Sequence, residues 1–223
     1  MLGVAINVLA VLLGTFLGMT IGRFLKEDVR KTIMQALGVC VVVIGVSDAL
    51  KTNNSLLVIL SVVIGGFLGS VLHISDGLDM LGDCLQKKIS KNGESKIGEG
   101  FVSATMIFCV GAMTVYGSIS AGLGDNSTLL IKSVLDGTVA IVLASSLGIG
   151  VAFSAIPIIV LQGGVALLAE FIAPYATPEF LAELSGIGGV LVFCIGLNLL
   201  EIKKIKTADL LPAILGAGVV FLM

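Results

Sequence analysis

Gly3-Val-Ala-Ile-Asn-Val-Leu-Ala-Val-Leu-Leu-Gly14-Thr-Phe-Leu-Gly18-Met-Thr-Ile-Gly22 is an unbroken run of twenty residues without a formal charge. As an α-helix it rises about 30 Å, the thickness of a bilayer's hydrocarbon core. A helix satisfies its backbone N–H and C=O groups internally, so it needs no water there. The stretch therefore reads as a membrane-spanning helix. The opening Met-Leu-Gly-Val-Ala has no basic cluster and no small-residue cleavage pattern, so the span reads as retained, not removed as a signal peptide.

The rest of the chain follows suit. Of its 223 residues 57% are apolar and only 13% charged, and the mean hydropathy is +1.13. Soluble domains carry about a quarter charged residues, which excludes a water-soluble reading. The sequence predicts an all-α fold, a polytopic transmembrane helix bundle of about eight spans near 3–22, 33–50, 55–74, 101–122, 128–150, 154–173, 180–200 and 207–223. These spans make residues 1–223 a single integral membrane domain.

Polar interruptions set that count. Arg23-Phe-Leu-Lys26-Glu-Asp-Val-Arg30-Lys31 parts the first two spans, Lys51-Thr-Asn-Asn-Ser55 the next pair, and Gly124-Asp-Asn-Ser-Thr128 the fourth from the fifth. Between the fifth and sixth, Gly148-Ile-Gly-Val-Ala-Phe-Ser154-Ala-Ile-Pro157 argues for a turn through glycine and proline, not charge. Lysines and arginines in short loops stay on the cytoplasmic side. With both termini outside, eleven of the thirteen fall inside, all but Lys51 and Lys132. The longest non-spanning stretch, 75–100, places Leu78, Leu81, Leu85 and Ile89 at helical spacing beside Lys87, Lys88 and Lys91. It reads as a cytoplasmic amphipathic loop on anionic lipid or as a solvated linker helix.

The chain also resembles itself at an offset of 150 to 151 residues. Ala5, Ile6, Gly14 and Leu17 fall on Ala155, Ile156, Gly164 and Leu167, and Gly38, Val39, Val41, Ile44 and Gly45 fall on Gly189, Val190, Val192, Ile195 and Gly196. The match pairs spans one to three with six to eight. Five helices apart means opposite direction, so this is an inverted 3+3 repeat with two intervening helices, an arrangement used by transporters and channels.

Small residues and buried polar groups supply the chemistry. Gly14, Gly18 and Gly22, like Gly65 and Gly69, recur every four residues and form faces on which helices pack closely, within the chain or in a homo-oligomer. The clusters Gly163-Gly164 and Gly186, Gly188, Gly189 weaken a helix and predict broken or hinged spans. Lys132 and Asp136 lie four apart, on one helix face, with Asp136 about 12 Å along the axis from Thr128. An ionisable group at that depth costs at least ~2.5 kcal/mol on insertion scales and marks a functional site by default. A neutralising pair that only orders the packing is the plainer alternative. Ser133, Ser154, Asn7, Gln162 and Asn198 are candidates to join it. Gln162 and Asn198, flanked by apolar residues, each need a hydrogen-bond partner inside the bundle.

Other chemistry has little support. The net charge of −2 gives no basic footprint for nucleic acid. Cys40, Cys84, Cys109 and Cys194 show no metal-ligand spacing, and there is no HExxH, GxSxG or GxGxxG motif, so neither an enzyme nor a cofactor or metal is expected.

Lys132-Ser-Val-Leu-Asp-Gly137, Ala144-Ser-Ser-Leu-Gly-Ile-Gly-Val-Ala-Phe-Ser154, Gln162-Gly-Gly and Ile195-Gly-Leu-Asn-Leu-Leu200 together resemble domain-of-unknown-function family 554 of bacterial inner-membrane proteins. Asn7-Val-Leu-Ala-Val-Leu-Leu-Gly14 and Phe108-Cys-Val-Gly-Ala-Met113 are similar to it too, so the resemblance covers the whole chain. It implies an inner-membrane location and no mechanism, since members have no established activity and are often described as candidate transport proteins. The reading is thus a membrane transporter or channel for a small polar solute or ion, with Lys132, Asp136, Ser133, Gln162, Asn198, Asn7 and Ser154 along the pathway. Its alternatives are a non-transporting scaffold and, more remotely, a membrane-embedded enzyme.

Overall fold

A computed structural model describes residues 1–78, 80, 84 and 97–222, and all of their regular structure is helical. Most of the expected amphipathic stretch 75–100 lies outside the described residues. The helices are α1 (Leu2–Gly22), α2 (Glu27–Ala49), α3 (Ser55–Val71), α4 (Ile97–Cys109), α5 (Ala112–Gly122) and α6 (Ser127–Leu147). A 3-10 segment, Gly148–Ser154, leads into the composite α7, residues 155–172. There α-helical Ala155–Ile158 passes into a π turn, Ile159–Gly163, and then into Gly164–Leu167 and Ala169–Ile172. α8 (Pro178–Leu199) and a terminal 3-10 helix, Thr207–Leu222, complete the chain.

Local chemistry sets several boundaries. Glu27 and Asp28 sit in the first turn of α2, where the helix dipole favours negative charge. Asn54 caps α3 by accepting the Leu57 N–H at 3.1 Å, and Thr177 caps α8 by accepting that of Phe180 at 3.2 Å. Gly148, at φ +72°, ends α6 in a conformation that side-chain-bearing residues avoid.

Three helix pairs dominate the packing: α1 with α6, α2 with α8, and α3 with the terminal helix. Each relies on glycine. β-Carbons built at Gly14, Gly18 and Gly22 would lie under 3.0 Å from the backbone of Gly137, Ile141 and Ser145, in the same order along both chains, so α1 and α6 run parallel. In the second pair Gly38, Val42, Gly45 and Ala49 meet Leu200, Gly196, Phe193 and Gly189 in reverse order. In the third, Gly65 and Gly69 meet Ala213 and Asp209, again in reverse. These two pairs are antiparallel. The glycine stripes to which the sequence assigned packing or an oligomer contact are therefore filled by the chain's own helices.

The distribution of polarity is that of a protein in oil. Leu9, Leu13 and Phe16 on α1, Val39 and Val43 on α2, and Ile59, Val63 and Phe67 on α3 are exposed, while Asn7, Lys132, Asp136 and Gln162 are buried. Among the described residues, four helical stretches are long and apolar enough to cross a membrane: α1, α2, α8 and the run Ser127–Leu167. The pair α4 and α5, bent by 64°, makes a fifth candidate. α3 and Thr207–Val219 are apolar but shorter. The difference from eight hydropathy segments arises mainly from these short helices and from that run. Its 41 residues would extend about 60 Å as a straight helix, twice the hydrocarbon core, but they turn at Gly148.

Two acidic groups clamp loops. Glu183 on α8 is 3% exposed; its carboxylate accepts the Thr52 hydroxyl and the N–H groups of Asn53 and Asn54, at 2.8 and 3.1 Å. Asp209 accepts the Ser75 N–H at 2.7 Å, and the Ser75 hydroxyl accepts the N–H of Asp209 at 3.1 Å. Nearby, a hydrogen bond from Lys206, reinforced by one from His73, holds the exposed Asp76 carboxyl below its ordinary range. Glu183→Ala strips the 52–54 turn of three hydrogen bonds to a carboxylate, each worth a net of roughly 1.5–3 kcal/mol when the acceptor is charged. The expected outcome is a lower thermal unfolding midpoint in detergent and faster proteolysis at 52–54.

Candidate functional site

Lys132 and Asp136 stand one turn apart on the buried face of α6, 6% and 5% exposed. Lys132 Nζ lies 2.9 Å from Asp136 Oδ1 and 2.9 Å from Oδ2. Because α1 packs parallel to α6 through its glycines, it brings Asn7 onto the same pair. Asn7 Nδ2 donates to Asp136 Oδ2 at 3.1 Å and to Gln162 Oε1 at 3.2 Å. Both amide side chains are fully buried. A single hydrogen-bonded chain thus runs from Lys132 through Asp136 and Asn7 to Gln162, linking three helices.

The amide orientations follow from the carboxylate. An ionised Asp136 only accepts, so Asn7 must present its NH2 group. The same NH2 faces Gln162, so Gln162 must present its oxygen. This leaves Asn7 Oδ1 and Gln162 Nε2 buried with no hydrogen-bond partner. Buried polar atoms are seldom left unmatched, and those that are mark a missing water, ion or ligand, or stored strain.

The backbone around the cluster is irregular. Gln162 sits in the π turn Ile159–Gly163, a distortion common at functional sites. Gly163 is buried, yet a β-carbon built there meets no atom within 4 Å, and Gly164 is equally open. Between α4 and α5, Gly111 takes φ +139°. The Thr114 hydroxyl, donating to the Phe108 carbonyl at 3.0 Å, satisfies a backbone group that the break releases. Cys109, the last residue of α4, directly precedes this second break.

Four of the seven residues expected on the pathway therefore meet: Lys132, Asp136, Asn7 and Gln162. The other three do not join the network. Ser133 and Ser154 donate back to Leu129 and Val151 of their own segments, at 2.6 and 2.7 Å. Asn198 spends both ends of its amide on Ile205, donating to its carbonyl and accepting from its N–H, each at 2.8 Å. It closes the loop after α8. The glycine cluster at 186, 188 and 189 breaks nothing, for α8 is continuous and uses Gly189 to approach α2. The break at 109–111 has a single signal in the sequence, Gly111 inside an apolar span. Glu183 was missed because a carboxylate near a span's start reads as an interfacial charge.

A family model described as "Protein of unknown function (DUF554)" matches residues 2–222. The chain is similar to "Uncharacterized membrane protein YdfK" of Bacillus subtilis (strain 168), with 31% identity over 220 residues, 96% of this chain and 93% of that protein. It is similar to "Uncharacterized protein YqgA" of Escherichia coli (strain K12), with 31% identity over 219 residues and the same coverage. No solved structure matches it.

Proposed function

The chain belongs to the DUF554 family, and from that premise we propose that it is a transporter or channel passing a small polar solute or ion across the bacterial inner membrane. The observation that carries this reading is the buried network of Lys132, Asp136, Asn7 and Gln162, which ends in two unmatched polar atoms. An ion pair that served packing alone would need no such ends. Helices broken at the depth of a charged pair are how transporters expose backbone and side chains to a solute.

The finer architecture in this reading is eight crossings with both termini outside, built on an inverted repeat. The contacts of α2 with α8 support it. The self-alignment equates Gly38 with Gly189 and Gly45 with Gly196. Gly45 lies against Gly189, and Gly196 against the Gly38 carbonyl. Each glycine thus meets the counterpart of the other, an exchange that fits a two-fold axis in the membrane plane and that any antiparallel pair in this register shares. α1 parallel to α6 fits spans one and five crossing in the same direction.

The test is flux in proteoliposomes made with the purified full-length chain. The wild type is expected to pass at least one probe from a panel of ions and small polar solutes faster than protein-free vesicles. Gln162→Leu removes one unmatched atom together with the acceptor of one Asn7 N–H, and is expected to slow that flux by about tenfold or more, the scale of losing one buried polar partner. Its yield and monodispersity in detergent should match the wild type. Equal flux from wild-type and protein-free vesicles across the panel contradicts the reading, as does full flux from Gln162→Leu.

A further inference from the structure

Resting on that reading, we infer that the solute is uncharged and carries a hydrogen-bond acceptor and donor close together, as a primary amide, urea or a polyol does, and that it binds between Gln162 Nε2 and Asn7 Oδ1. The cluster's charges cancel, because the Lys132 ammonium and the Asp136 carboxylate stand 2.9 Å apart. What remains unmatched is one N–H-bearing nitrogen and one carbonyl oxygen. Neither can turn to suit another ligand without breaking the Asn7 bonds to Asp136 and Gln162.

An ion fits this set poorly. A cation drawn to Asn7 Oδ1 meets the Gln162 N–H groups and the ammonium of Lys132. An anion drawn to Gln162 Nε2 meets the Asn7 oxygen and the carboxylate of Asp136. A neutral group that accepts with one atom and donates with its neighbour satisfies both ends at once, with no charge to desolvate. The two ends belong to amides bonded to each other, so they lie within about 8 Å, the reach of one small molecule. Next to Gln162 in the chain, the buried Gly163 has no side chain, and outside its own helix no atom lies within 4 Å of its β-carbon position, which leaves space one residue from the Gln162 amide.

The experiment is stopped-flow light scattering on proteoliposomes containing the full chain, with urea, acetamide and glycerol as osmotic probes. Dye-based fluxes of H⁺, K⁺, Na⁺ and Cl⁻ are measured on the same vesicles. Expected is entry of at least one neutral probe about tenfold or more above protein-free vesicles, with ion fluxes at the control level. Gly163→Leu, which leaves all four network residues in place, should return that rate to control, whereas Gly163→Ala should keep it. Size-exclusion profiles establish that both variants fold. Should Gly163→Leu misfold, Gln162→Leu takes its place.

Ion flux alone, or ions together with neutral probes, overturns the substrate class and leaves the transport reading intact. No flux of any probe overturns both, the two atoms then holding only a fixed water.

Discussion

Lys132→Met and Asp136→Asn, made singly, are expected to depress the yield of folded protein severely, and the double variant to restore the yield while flux stays absent. Either single change leaves its partner's charge buried beside apolar helices. Breaking a buried pair in this way costs about 3–5 kcal/mol, and an unpaired ion at a helix centre in the membrane costs a similar ~2.5–3.5 kcal/mol. Against a total stability of about 5–15 kcal/mol that is a large fraction. Removing both charges removes the penalty, and replacing a whole buried pair is often neutral or stabilising. Asn at 136 keeps an oxygen for the Asn7 N–H, so the α1–α6 contact survives. Expression, size-exclusion profile and thermal midpoint for the four proteins complete a double-mutant cycle. Singles that fold like the wild type would mean that the pair is solvated. A double variant with full flux would mean that the pair is scaffolding and the pathway lies elsewhere.

The site was partly legible because membrane sequences make buried polarity conspicuous. Lys132 and Asp136 announce themselves by four-residue spacing in an apolar run. Asn7 and Gln162 stand out as amides with no polar neighbour in the chain. What local pattern cannot supply is the partner. Asn198 looks identical to Gln162 on that criterion, yet it lies near the end of α8, where the returning loop offers the backbone of Ile205. The backbone breaks were half visible. Glycine at 148 and 163 is conspicuous in the sequence, but whether a glycine bends a helix or lets a neighbour approach depends on what packs against it. Gly111 has open space and a positive φ; Gly189 has α2. Hydropathy does not fix the number of crossings for the same reason, since apolar residues can be counted but the 3-10, π and bent geometry that sets how far they reach cannot.

Alanine at Gly45 or Gly189 is expected to lower the thermal midpoint in detergent sharply, while alanine at Gly218 leaves it unchanged or raises it. A β-carbon at Gly45 would lie 2.7 Å from the Phe193 α-carbon and 2.9 Å from the Gly189 carbonyl oxygen; one at Gly189 would lie 2.6 Å from the Gly45 carbonyl oxygen. All three are backbone atoms, which cannot swing aside as a side-chain tip does. The helices must part instead, and overpacking of this kind costs about 1–3 kcal/mol, sometimes more. In a bilayer, where lipid tails are as apolar as the helices, close contact across small residues is a main source of association, so little compensates for the separation. At Gly218 no atom lies within 4 Å of the new carbon, and alanine there adds helix propensity of up to about 1 kcal/mol. Because Gly45 and Gly189 press on each other at one crossing, the first substitution already opens the gap that the second would need. The Gly45→Ala/Gly189→Ala double variant should therefore lose less than the two singles added together. Full additivity would instead place the two glycines at separate, independent contacts.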